Sequence, residues 1–149
     1  GQWVATQTDV EIIVWEGSCM VHERFTAPEL RAYRGTHPGI QIIAHPECPP
    51  DVLEEADFVG STAGMMNWLK TEQPRAVVMV TECSMSDNVA AESPETEFVR
   101  PCNLCPHMKR ITVAGIRDAL RDMQHEVLVD RAVAARARSA VQRMLEVKV

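Results

Sequence analysis

The sequence predicts an α/β fold: a three-layer αβα domain on a parallel sheet, followed by a C-terminal helical segment. Three observations point there. Short runs of apolar, largely β-branched residues are continuous rather than alternating, as in strands covered on both faces. Helical patterns lie between them, which is the mark of βαβ units. The chain has 149 residues, 46% of them hydrophobic and 24% charged, so a single real core is within its means.

Taken in order, residues 1–8 read as a helix end or linker. Glu11-Ile12-Ile13-Val14-Trp15 predicts a first buried strand, closed by the turn signal Gly17-Ser18-Cys19. Thr26-Ala27-Pro28-Glu29 has the form of an N-cap with proline in the first turn, and its helix ends near Gly35, before Pro38. Residues 40–44 predict a second strand, stopped by His45-Pro46. Residues 50–56 form a short helix, and residues 57–59 a third strand ending at Gly60. Ser61 or Thr62 caps the next helix, which carries Met65, Met66 and Leu69. Residues 75–80 predict a fourth strand. Residues 84–108, with Pro94, Pro101 and Pro106, read as irregular. Thr112 precedes a helix with Val113, Ile116, Leu120 and Met123 on one face, and residues 126–129 are a candidate strand. Residues 130–147 form the clearest helix, with Val133, Ala137, Ala140, Val141, Met144 and Leu145 at 3/4 spacing and a solvated face of arginines.

Composition narrows the function. Fifteen basic against 21 acidic residues give a net charge of −6, which argues against a nucleic-acid binder. No apolar run approaches the ~18 residues of a membrane span. The N-terminus has neither the basic nor the apolar stretch of a secretion signal, and no initiator Met, so a processed or excised piece is expected. Five cysteines, at 19, 48, 83, 102 and 105, are odd in number and unevenly spaced. That does not suggest a secreted disulfide scaffold; a reducing cytosol is expected, where clustered thiols serve metal or redox chemistry.

The residues able to do chemistry fall mostly in loops that follow strands: 17–22, 45–48, 60–62 and 81–85. In open parallel sheets ligands bind at the carboxyl ends of strands, so order alone places these loops on one rim. Cys102-Asn-Leu-Cys105 brings two thiols close enough to share zinc, an iron–sulfur centre or a disulfide, and spacing alone does not choose. Cys19 follows a Gly-Ser turn, with His22 and Glu23 nearby. Cys48 and Cys83 read as packing residues. His45-Pro46-Glu47 offers a group titrating near neutral pH beside a carboxylate. Gly60-Ser61-Thr62 is either an anion site at a helix start or a plain cap.

In this order the pieces resemble the quinolinate synthase family of de novo NAD biosynthesis. The matching residues run from Val14 through Trp15-Glu16-Gly17-Ser18-Cys19-Met20-Val21-His22 to Phe25. They continue with Ala44-His45-Pro46-Glu47-Cys48, Asp57-Phe58-Val59-Gly60-Ser61-Thr62, Thr81-Glu82, and Cys102-Asn103-Leu104-Cys105-Pro106-His107-Met108-Lys109. The resemblance covers nearly the whole chain. It implies a pseudo-threefold three-domain enzyme, in which residues 1–18 end one α/β domain, 19–104 form the next, and 105–149 pack on an absent N-terminal domain.

The resemblance further implies a [4Fe–4S] cluster on three cysteines with one iron left open as a Lewis acid. Cys19 and Cys105 match two of the ligands, and the third is not in this chain. Cys102 matches an extra cysteine of some members. His45, Pro46 and Glu47 match residues that bind iminoaspartate, and Thr62 a further substrate contact; His45 and Glu47 would move protons, and His22 lies near the cluster. The reaction joins iminoaspartate with dihydroxyacetone phosphate, losing water and phosphate, in the cytoplasm, with L-aspartate oxidase or aspartate dehydrogenase as the supplier. Roughly half of a complete enzyme is missing, so the chain is expected to be a fragment inactive alone. Two other readings are a small zinc-binding α/β module using Cys102 and Cys105, and a non-catalytic protein docking through its arginine-bearing helix.

Overall fold

The structure, a computed structural model, describes residues 1–147 and forms two compact units, Gly1–Lys109 and a second from Arg110 onward. In the first unit the elements run α1 (Gln2–Ala5), a 3-10 turn (His22–Arg24), α2 (Ala27–Thr36), β1 (Gln41–Ala44), α3 (Pro50–Glu54), β2 (Phe58–Val59), α4 (Thr62–Glu72), β3 (Ala76–Val80), α5 (Cys83–Glu92) and β4 (Glu97–Val99). The four strands make one parallel sheet in the order β2-β1-β3-β4. Every carboxyl end therefore lies on the same edge.

The strands are short, and apart from Gln41 and Glu97 at the starts of β1 and β4 they are apolar, with β1 and β3 covered on both faces. Along β1 and β3, successive side chains alternate between two cores. Ile42, Ala44, Val78 and Val80 join Phe25 and Leu30 from around α2 and Val52 from α3. Ile43, Val77 and Met79 join Met65 and Leu69 of α4 and Val89 of α5. This is the expected three-layer αβα arrangement, with α2 and α3 on one face and α4 and α5 on the other. The helix starts follow the sequence signals: Thr26 and Glu29 form a capping box with Pro28 in the first turn of α2, and Ser61 Oγ accepts from the Gly64 amide at 3.1 Å. Gly39, at φ +81°, turns the chain into β1, a conformation that a side chain would strain.

Three expectations are corrected. Residues 11–15 form no strand. A strand needs a hydrogen-bonding neighbour, both sides of β1 are taken by β2 and β3, and Ile13 and Trp15 are 92% and 85% exposed. Within 84–108 lie a helix and a strand that the prolines masked. α5 is rich in Ser, Asp and Asn, poor helix formers in isolation, and is held by its Glu82 cap and by the burial of Cys83, Ser86 and Val89. β4 is only three residues long and exists because Val77 and Val78 of β3 offer it an edge. Residues 126–129 are not a strand; they are exposed and pair with nothing among the described residues.

The second unit contains α6 (Val113–Asp122) and α7 (Arg131–Glu146). Thr112 Oγ1 caps α6 through the Gly115 amide at 3.0 Å, and Asp130 Oδ1 caps α7 through the Ala132 and Val133 amides at 2.9 and 3.1 Å. Their apolar residues, including Val113, Leu120, Met123, Met144 and Leu145, are exposed.

Candidate functional site

The sheet order creates a crevice. From β1 the chain leaves over the α3 face, and from β3 it leaves over the α5 face, so the loops after these neighbouring strands diverge. Such a switch point is where open α/β sheets bind ligands. The residues the sequence singled out converge there. The 45–48 loop follows β1, the 81–83 segment follows β3, and the Cys19 loop reaches the rim through its 3-10 turn rather than through a strand.

His22 is the hub, at 6% exposure. Its Nε2 lies 3.1 Å from Thr81 Oγ1, and its Nδ1 lies 3.1 Å from Glu47 Oε2. The second approach is close but off the line of the ring N–H, so Nδ1 has no hydrogen-bond partner among the described residues. The His22 and His45 rings stack with centroids 4.6 Å apart, and His45 Nδ1 lies 3.6 Å from the same Glu47 oxygen. Burial lowers the pKa of both histidines. For His22 the neighbouring His45 lowers it further, and Glu47 opposes both shifts. Both imidazoles are therefore neutral near pH 7 and able to accept a proton or bind an electrophile. The Cys19 sulfur, a His22 ring nitrogen and a Glu47 oxygen all lie within 4.8 Å of one another.

Cys105 reaches the rim by another route. Glu82, buried directly after β3, caps the Ser84 amide at 2.8 Å through Oε2 and accepts from the Cys105 amide at 3.3 Å through Oε1. A bridge between Glu82 and Asn103 holds the same loop, and the Met108 amide donates to Cys105 Sγ at 3.5 Å. Cys19 and Cys105 are both free and half-buried.

The other thiols are settled differently from expectation in two cases. Cys102 is bonded to Cys83, not available to pair with Cys105, so the proposed Cys102–Cys105 zinc pair has lost one member. Cys83 is thus a staple between the start of α5 and the Cys105 loop rather than a packing residue. Cys48 is buried as expected; its thiol donates to the Val80 carbonyl at 3.6 Å, and burial pushes its pKa up to about 12. A thiol held protonated is a poor metal ligand. Cys19 and Cys105 are the two cysteines that are neither disulfide-bonded nor fully buried.

Thr62 is the first residue of α4, exposed on the next loop along the rim, with no side-chain hydrogen bond to the His22 group among the described residues. Pro46 lies in the turn between His45 and Glu47. The family resemblance includes Thr81 and Glu82 but implies no role for them. Their signal is a polar pair directly after an apolar strand, both buried, which requires each to have a partner.

Comparison with known proteins gives a consistent result. The family model described as quinolinate synthetase A protein (NadA) matches residues 1–146. The chain is 63% identical over 142 residues to quinolinate synthase 1 of Mesorhizobium japonicum, covering 95% of this chain and 44% of that protein. It is 60% identical over 144 residues to quinolinate synthase 2 of the same organism, covering 97% and 44%, and 58% identical to the quinolinate synthase of Agrobacterium fabrum, covering 97% and 42%. The chain thus spans less than half the length of these relatives. No helix among the described residues is long and apolar enough to cross a membrane.

Proposed function

The chain belongs to the quinolinate synthetase A family, and on that premise we propose that it supplies two cluster ligands and part of the substrate site of a quinolinate synthase. The convergence of Cys19, His22, His45 and Glu47 on the switch point carries this reading. Cys19 and Cys105 hold a [4Fe–4S] cluster, with the third cysteine outside this chain. When bound, the cluster supplies an open iron that polarises a leaving hydroxyl. Glu47 and neutral His45 take and return the protons that carbon–carbon bond formation and dehydration release. His45, Pro46, Glu47 and Thr62 bind iminoaspartate. His22 stacks on the His45 ring and so fixes its orientation, and Glu82 positions the Cys105 loop.

The reaction proposed is condensation of iminoaspartate with dihydroxyacetone phosphate to quinolinate, with loss of two waters and phosphate, in cytoplasmic de novo NAD biosynthesis. L-Aspartate oxidase or aspartate dehydrogenase would supply the iminoaspartate. Residues 1–18 belong to a preceding α/β domain and 19–104 to the next, while the helices of 105–149 cover the remainder of the enzyme with their exposed apolar faces. The zinc-module alternative is not favoured, because Cys102 is committed to Cys83.

The test is anaerobic reconstitution with iron and sulfide, supplying the portion that the relatives have and this chain lacks. We expect near-equal iron and acid-labile sulfide with broad visible absorption, lost in Cys19→Ala and Cys105→Ala and kept in Cys48→Ala. Absence of acid-labile sulfide after reconstitution overturns the reading.

A further inference from the structure

We propose that Thr81 is a positioning residue of the site: its hydroxyl donates to His22 Nε2 and so fixes the imidazole in the tautomer that carries its proton on Nδ1, facing the Glu47 carboxylate. The inference deepens the function proposed above, on which its catalytic consequence rests.

Thr81 follows β3 directly and is 3% exposed, so its hydroxyl is shut off from bulk water. Among the described residues that hydroxyl has one hydrogen-bond contact, to His22 Nε2 at 3.1 Å. The ring between Thr81 and Glu47 carries a single proton, because burial and the stacked His45 ring both disfavour the imidazolium. Two arrangements then fit the distances. In the first, Nε2–H donates to the Thr81 oxygen. The Thr81 proton is left without an acceptor, and a bare Nδ1 lone pair lies 3.1 Å from Glu47 Oε2. A buried donor with no partner is costly, and two electron-rich atoms at that separation repel. In the second, the Thr81 hydroxyl donates to Nε2 and the ring proton sits on Nδ1. Each proton now meets an electron-rich atom, and both penalties vanish together.

The residue type matters. A carbonyl in the place of Thr81 would only accept and would force the opposite tautomer; a hydroxyl also donates, and the bond at one ring nitrogen decides which nitrogen holds the proton. The Glu47 side chain is 57% exposed and needs a fixed donor to hold its carboxylate in one place. The contact with Nδ1 is bent off the line of the ring N–H, and rotation of this exposed carboxylate brings it into line. Orientation thus starts at the buried end of β3, passes through His22, and reaches Glu47. A carboxylate facing an N–H stays ionised and in place, as the proton transfers proposed above require of a base.

Nitrogen-15 NMR of the labelled, iron-free chain tests this, with the portion that the relatives have and this chain lacks added unlabelled. Protonated and bare ring nitrogens have separate chemical shifts, and the His22 signals are assigned by their loss in His22→Gln. We expect the protonated nitrogen to be Nδ1, and to remain so in Glu47→Gln, where the hydroxyl selects the tautomer without the carboxylate. In Glu47→Gln with Thr81→Val the proton moves to Nε2 in most molecules; in Glu47→Gln with Thr81→Ser it stays on Nδ1. Circular dichroism checks that these variants are folded. In the reconstituted enzyme, Thr81→Val is expected to lower kcat about tenfold to a hundredfold with KM little changed, a part of what a placed base supplies, and Thr81→Ser to restore it. His22 protonated on Nε2 in the unaltered chain, or a tautomer indifferent to Thr81→Val in the Glu47→Gln background, overturns the proposal. Absence of quinolinate from the reconstituted enzyme, with Nδ1 protonated, counts against the function proposed above and not against the tautomer.

Discussion

At the scale of single residues, the stacked imidazoles His22 and His45 make the rim sensitive to acid. Both have folded pKa values below the ordinary 6.5, chiefly because burial disfavours the charged ring. The unfolded chain therefore binds more protons, and stability rises with pH across the window beneath 6.5. The contribution is complete above that value and is lost as pH falls through it toward the folded pKa values. Denaturation midpoints are expected to drop between pH 7.5 and 5.5, and to drop less in His45→Gln. A midpoint that does not move over that interval would show that these rings are not charged on unfolding. The identity of these residues was readable in the sequence: His45-Pro46-Glu47 stands after an apolar strand, and Cys19 and His22 stand in one loop. The partnership was not, because His22 and Thr81 are 59 positions apart.

Among the elements, the edge of the sheet is fastened by charge. Asp57, just before β2, accepts the Ile42 amide of β1 at 2.7 Å through Oδ2 and pairs with Arg34 of α2 at 3.0 Å through Oδ1. Arg34 also donates to the Glu55 carbonyl at 2.8 Å. One carboxylate thus ties a strand, a helix and a loop. Asp57→Ala leaves the Ile42 amide unpaired at the strand's start and is expected to cost about 1–3 kcal/mol in denaturant unfolding; a loss near zero would mean that water replaces the carboxylate. The strands β1 to β3 were legible because continuous β-branched runs have one stable use, between two layers. α5 and β4 were not, because neither carries a local pattern of its own: the helix stands on its Glu82 cap and buried face, the strand on the edge that β3 presents. Residues 11–15 failed in the opposite way. Their local pattern is strong, but a strand is defined by a neighbour.

For the whole molecule, the chain covers 44% of each Mesorhizobium relative and 42% of the Agrobacterium one, and two of its five cysteines, Cys19 and Cys105, are free and only half-buried. On the function proposed above, a cluster anchored by Cys19 and Cys105 alone lacks its third thiolate, so the 149-residue chain alone is expected to release no quinolinate from iminoaspartate and dihydroxyacetone phosphate. Chromatographic detection of quinolinate above the no-protein control would contradict that.

By itself the sequence determined the layer architecture, the helix caps, the strands β1 to β3, and the residues that bear chemistry, because these depend on local periodicity and residue type. The tertiary structure alone decided the strand order, and with it the switch point that brings residues 19–22, 45–48 and 81–82 together. It also decided which thiols are spent: Cys83 and Cys102 on each other, Cys48 on a backbone carbonyl. Pairing across long separations is set by which surfaces can be buried together, and no local signal in the chain encodes that.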